Sequence, residues 1–248
     1  MAKSVDASHV KNVANMDELI SSILSYGIKY NPSNPLLKLE SMQSLYSLGE
    51  GAISDVNSTH PASTLAVSIR DNAFKPLSKL TTRVINSLKA TQVPVQIIEN
   101  VRTIVRKIQG VRATPKKSDE EKKALEAEGL VVKEISSSQM GFDDRLDNFD
   151  KLIKLLSGIP LYDPNEEDLK ISTLTVLYND LKEKNAAAII ASTPLTNARI
   201  ARQIILYKEG TGLVDTCLSS KNYIKSVFGA DSPQYKKIAK LAFRNIRY

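Results

Sequence analysis

The stretch YNPSNPLLKLESMQSLY, starting at Tyr30, returns as YDPNEEDLKISTLTVLY, starting at Tyr162. A chain that writes one pattern twice folds each copy alike, and each copy must hide the apolar surface that the pattern creates. The 132-residue spacing from Tyr30 to Tyr162 pairs Pro32 with Pro164, Leu37 with Leu169, Leu39 with Ile171, Met42 with Leu174, Leu45 with Leu177 and Tyr46 with Tyr178. Upstream, LISSILS (19–25) lies against KLIKLLS (151–157), in each case a short amphipathic helix that runs into a turn.

Downstream the register shifts. AFKPLSKL carries Pro76 where ASTPLTNA carries Pro194, a spacing of 118, so the first copy holds 14 more residues than the second. That is about four helical turns, and a long helix absorbs it without rotating its apolar stripe. RTIVRKIQG (102–110) then matches KNYIKSVFG (221–229), both ending in a glycine suited to a helix C-terminus. Each copy reads as helix, long helix, helix. Along the long helix Leu39, Met42, Tyr46, Gly49, Ile53 and Val56 alternate spacings of three and four, the seam of a helical bundle. This predicts Leu45, Tyr46, Leu177 and Tyr178 to be largely buried. Proline inside a helix removes a backbone donor, so bends are expected at Pro61 and at the Pro76/Pro194 pair.

Composition agrees with helices. In 248 residues there are ten glycines, ten prolines and no tryptophan, and 42% of the residues are hydrophobic, enough for a real core. The expected fold is all-α: an elongated antiparallel helical bundle of two tandem three-helix units related by a pseudo-twofold axis, each burying the other's seam. It forms a single domain over residues 1–248, with one unit at about 13–110, a linker at 111–140, a second unit at about 146–229 and a basic C-terminal helix at 230–248. Ser118 and the acids after it would start a short helix in the linker, and Asp231-Ser232-Pro233 would cap the terminal one.

The net charge of +7 is uneven, with +6 in residues 61–111 and +6 in residues 221–248. Arg102 and Arg106, like Lys221 and Lys225, stand four apart and so share a helix face. These four are the candidate binding residues, since a basic stripe can hold phosphates. Arg199 and Arg202 are expected to pair with acids of the bundle. The acidic runs at Asp143–Asp150 and Glu166–Asp168 fit helix starts, where negative charge complements the macrodipole.

Catalytic chemistry is missing. The only histidines are His9 and His60, and the one cysteine, Cys217, reads as a small apolar group in a helix. There is no zinc-ligand pattern, phosphate loop or dinucleotide fingerprint, so no metal, cofactor or catalytic residue is expected. No segment has the length of a signal peptide or a membrane span, and the expected location is the cytoplasm.

FKPLSKLTTRVINSL, RKIQGVRA, PLTNARIARQIILYKEGTGLVD and YIKSVFGADSPQYKKI together resemble a family of uncharacterised all-helical proteins of Bacteroidota, with a C-terminal motif of the VFGxxSPxYK type. The resemblance runs from about residue 31 to the C-terminus and implies a helical fold, with no activity to carry over. The function expected is that of a non-enzymatic helical scaffold or partner-binding protein, whose partner is another protein or a second copy. The alternative is a sequence-nonspecific nucleic-acid-binding protein using the two basic blocks, with no membrane role in either case.

Overall fold

A computed structural model describes residues 5–111, 127 and 140–246, and every regular element among them is helical. The helices are α1 (Val5–Tyr26), α2 (Leu39–Phe74), α3 (Leu77–Lys89), α4 (Val95–Gln109), α5 (Phe142–Ser157), α6 (Ile171–Tyr207), α7 (Leu213–Phe228) and α8 (Pro233–Ala239), with short 3₁₀ turns at Pro35–Leu37 and Glu167–Leu169. The fold is all-α. The expected linker and its helix start at Ser118 lie almost wholly outside the described residues.

Local chemistry sets the helix ends. Gly110 closes α4 in the left-handed region, φ 68°, which costs glycine least, and the Val111 N–H returns to the Arg106 carbonyl at 2.9 Å. Ser232 caps α8 by accepting from the Tyr235 N–H at 3.1 Å, with Pro233 at the first helical position. Neither proline breaks its helix: α2 and α6 run on through Pro61 and Pro194. Both prolines are exposed, so the carbonyl that each leaves unbonded need not be buried. Only Pro76 falls at a helix break, directly before α3.

The chain divides into two compact units, one of residues 1–64 with 191–248 and the other of residues 65–190. Both divisions fall inside the long helices α2 and α6. Each unit therefore takes its opening helices from one copy of the repeat and its closing helices from the other. In the first unit the core joins Met16, Leu19, Ile20 and Ile23 of α1 and Met42 of α2 to Leu206, Leu213, Cys217 and Ile238. In the second it joins Phe149, Leu152, Ile153 and Leu156 of α5 and Leu174 of α6 to Phe74, Val84, Val101 and Ile108.

Each unit repeats the other's frame in detail. The Tyr30 hydroxyl donates to the Leu37 carbonyl at 2.8 Å, and the Tyr162 hydroxyl to the Leu169 carbonyl at 2.9 Å. Leu39 and Ile171, and Tyr46 and Tyr178, occupy matching half-buried positions. Leu45, Tyr46, Leu177 and Tyr178 thus flank the core; its centre is Met42 and Leu174, both fully buried. Upstream the register differs by one residue from the sequence pairing. The buried row Val13, Met16, Leu19, Ile20, Ile23 answers to Leu146, Phe149, Leu152, Ile153, Leu156, each 133 further on.

Downstream, packing corrects the sequence alignment. The turn at Pro35–Leu37 packs on α7 and that at Glu167–Leu169 on α3, while α8 packs on α1 and α4 on α5. So α7 answers to α3 and α8 to α4, and Thr81, Val84, Ile85 and Leu88 are matched by Leu213, Thr216, Cys217 and Ser220, all buried and all 132 apart. RTIVRKIQG and KNYIKSVFG therefore sit on helices that are not equivalent; alternating basic and apolar residues recur on any half-buried helix. With 36 and 37 residues, α2 and α6 also leave no room for a 14-residue excess. The basic helix expected over 230–248 is limited to Pro233–Ala239, and residues 241–246 are not helical.

Candidate functional site

Of the four expected binding residues, Arg102 and Arg106 belong to the second unit and Lys221 and Lys225 to the first. Arg102 is paired with Glu99 one turn before it on α4. Arg106 is half-buried on the same helix. Lys225 lies over the Tyr235 ring, 5.7 Å from its centroid. Lys221 is turned inward: its Nζ donates to the Leu241 carbonyl at 2.8 Å and to the Ala239 carbonyl at 3.2 Å, with the Phe243 ring 5.9 Å away. Burial pushes its ammonium down from the ordinary lysine value.

Lys221 is one of four side chains that grip residues 239–246. Asn15 Nδ2, on α1, donates to the Ala242 carbonyl at 2.8 Å. Asn12, one turn earlier, bonds Arg244 twice, donating through Nδ2 to its carbonyl at 2.8 Å and accepting its N–H on Oδ1 at 3.0 Å. Gln203 Nε2, on α6, donates to the Ile246 carbonyl at 2.9 Å. The carbonyls of residues 242, 244 and 246 alternate along the chain, as one edge of an extended strand presents them. Leu241, Phe243 and Ile246 meanwhile pack on the first unit's core.

Asn12 and Asn15 are almost fully buried, at 1% and 3% exposed. A buried amide is costly unless bonded, and the chain beside α1 supplies Asn15 with the Ala242 carbonyl and Asn12 with both polar groups of Arg244's backbone. Behind them, His9 Nδ1 and the Tyr207 hydroxyl lie 2.6 Å apart, and Asn12 Nδ2 reaches the same hydroxyl at 3.2 Å. Sequence reasoning missed this clasp. Its signal was two asparagines, Asn12 and Asn15, on a face where an amphipathic helix should be apolar.

The second unit carries a shallow groove of about 390 Å³ lined by Asp143, Asp147, Asp150, Tyr178, Lys182 and Asn185, among others. Its acids are engaged: Asp143 accepts from Asn185 Nδ2 at 2.7 Å, Asp147 pairs with Lys151 and Asp150 with Lys154, both at 2.5 Å. Arg199 is exposed and Arg202 buried. Cys217 is fully buried and burial raises its thiol well above the usual range, so it is a packing group rather than a nucleophile. Among the described residues no group of three or more His, Cys, Asp or Glu is placed to hold a metal ion, and no helix is long and apolar enough to cross a membrane. Comparison with protein-family models, with curated proteins and with solved structures returns no match.

Proposed function

We propose that the chain is a non-enzymatic, partner-binding helical protein, and that the clasp in its first unit is the binding surface. The observation that carries this reading is that four side chains, Asn12, Asn15, Gln203 and Lys221, read five main-chain carbonyls between Ala239 and Ile246. Bonds to main chain place little demand on the sequence bound; apolar side chains where Leu241, Phe243 and Ile246 sit supply the selectivity. The ligand class is an extended peptide segment. A chain ending at Lys240, titrated with labelled KLAFRNI peptide, tests it by fluorescence anisotropy. Saturable binding that weakens at least tenfold in Asn15→Leu is expected, whereas a helical, folded truncation that ignores the peptide would count against the clasp as a binding surface.

The alternative, nonspecific nucleic-acid binding through Arg102, Arg106, Lys221 and Lys225, has less support, because Arg102 is paired with Glu99 and Lys221 is spent on main-chain carbonyls. It is tested by titrating labelled single-stranded DNA at two salt concentrations. Tight, steeply salt-dependent binding that disappears in the fourfold alanine variant would favour it over the clasp.

A further inference from the structure

The occupant of the clasp in the structure is a short non-helical segment of the same chain, residues 241–246. These residues lie outside any helix, and the Leu241 N–H ties the segment to α8 through the Ile238 carbonyl at 3.1 Å. In the second unit the corresponding place on α5 is filled by α4, a 15-residue helix that brings its own backbone bonds with it. The 241–246 segment is held by the clasp's side chains and by the packing of Leu241, Phe243 and Ile246 on the core. Were it to leave, Asn15 would lose the Ala242 carbonyl, Asn12 would keep only the Tyr207 hydroxyl, and Leu241, 7% exposed in place, would face water. An emptied clasp is refilled most readily by a chain of the same length, apolar spacing and backbone, and a second copy carries that chain.

We infer that the clasp exchanges residues 241–246 between copies, so that one copy's segment is held by Asn12, Asn15, Gln203 and Lys221 of another. This rests on the reading of the clasp as a binding surface and names its partner. Every contact made within one chain is available between two, so the balance is set by concentration against the local advantage of the attached segment. Closed monomers dominate when dilute, and exchanged dimers accumulate on concentration.

The test replaces Phe243 by the photoreactive benzoylphenylalanine in the full chain and irradiates an equal mixture of ¹⁴N- and ¹⁵N-labelled protein. Because the Phe243 ring lies beside Lys221, adducts on α7 around Lys221 are expected, and mixed-isotope adducts there mark exchange. A tenfold rise in concentration should raise the ratio of covalent dimer to monomer about tenfold while dimer is the minor species. Adducts near Lys221 that are only of one isotope overturn the exchange and leave the clasp standing. Adducts elsewhere overturn both. Native mass spectrometry of the unmodified chain gives a second readout free of the substituted residue. Mixed dimers that disappear in Asn12→Leu/Asn15→Leu support the exchange, and dimers that persist unchanged in that variant, or monomer alone up to about 1 mM, overturn it.

Discussion

The two units share a frame and close it differently. Each opens with an amphipathic helix, turns through a tyrosine bonded to a carbonyl seven residues on, and starts a long helix on a buried Met42 or Leu174. The second unit then closes with amphipathic α4, which packs on α5 and buries Val101, Val105 and Ile108 in the shared core. The first closes with the seven-residue α8 and an extended segment held by polar groups. The difference is written on the opening helices: where α5 has Phe142, Arg145 and Phe149, α1 has His9, Asn12 and Met16. In the second unit Phe142 packs edge-on against Phe74, 4.9 Å between centroids, and Arg145 donates to the Phe74 carbonyl at 3.0 Å. In the first unit the same places serve the clasp. Positions that match between units build the fold, and positions that differ mark where one unit does something else.

The most severe way to test the shared frame is to empty its centre. Phe149 and Met16 are equivalent and fully buried, so Phe149→Ala should cost about 3–5 kcal/mol and Met16→Ala about 2–5 kcal/mol, read from urea unfolding. A variant that melts like the parent in either unit would break the equivalence. The next test concerns volume. A Cβ added at Gly49 would stand 3.0 Å from Leu213 Cδ1 and 3.4 Å from Val13 Cγ2, whereas the matching residue of the second unit is the fully buried Leu181, with Thr81 where the first has Leu213. Gly49→Leu should therefore destabilise by about 1–3 kcal/mol. Adding Leu213→Ala should restore part of that loss, a coupling that independent sites would not show.

One asparagine separates the two closures. Asn148 and Asn15 are equivalent and both buried, yet Asn148 Nδ2 donates to the Asp144 carbonyl of its own helix at 2.8 Å, while Asn15 reaches Ala242. Asn148→Ala leaves the Asp144 carbonyl its helical bond and should cost about 0.5–1.5 kcal/mol; Asn15→Ala strips the Ala242 carbonyl of its partner and should cost about 1–3 kcal/mol. Equal losses in thermal melts would remove the distinction between a helix-satisfied amide and a clasp.

The all-α fold, the repeat and its tyrosine turn were legible because Pro, Tyr and the apolar residues around Leu37 and Leu169 have types that only a few local structures accept. The register of the closing helices was not. RTIVRKIQG and KNYIKSVFG look alike because any helix half covered by a core alternates basic and apolar residues, and only packing tells α4 from α7. That α2 continues past Pro61 was not legible either, since an exposed proline in a 36-residue helix gives up one bond among many. The clasp was hidden for another reason. Lys221 was singled out for its charge, but its role comes from carbonyls that reach it by the path of residues 239–241, which no local pattern encodes. Asn12 and Asn15 become informative only once α5 shows what that face carries elsewhere.

The smallest expected effect compares the two tyrosines that begin the shared turn. Burial pushes the Tyr162 phenol up to about 12, with the charges of Glu166 and Asp168 adding to the shift. Burial raises Tyr30 as well, but its hydroxyl also lies 2.9 Å from Ser220 Oγ, a contact that opposes the rise. A raised phenol means that the folded chain holds its proton after the unfolded chain has released one. The stabilisation is therefore complete below the unfolded value near 10 and is lost as pH climbs from there toward 12. For Tyr162 the loss amounts to on the order of 1 kcal/mol by pH 11. Tyr162→Phe should thus lower stability at pH 8 through the missing bond to Leu169, yet flatten the alkaline decline between pH 9.5 and 11 relative to the parent. Tyr30→Phe should flatten it less. Urea unfolding at four pH values separates these outcomes, and parallel alkaline slopes for the parent and Tyr162→Phe would show that the second unit's turn is no drier than the first's.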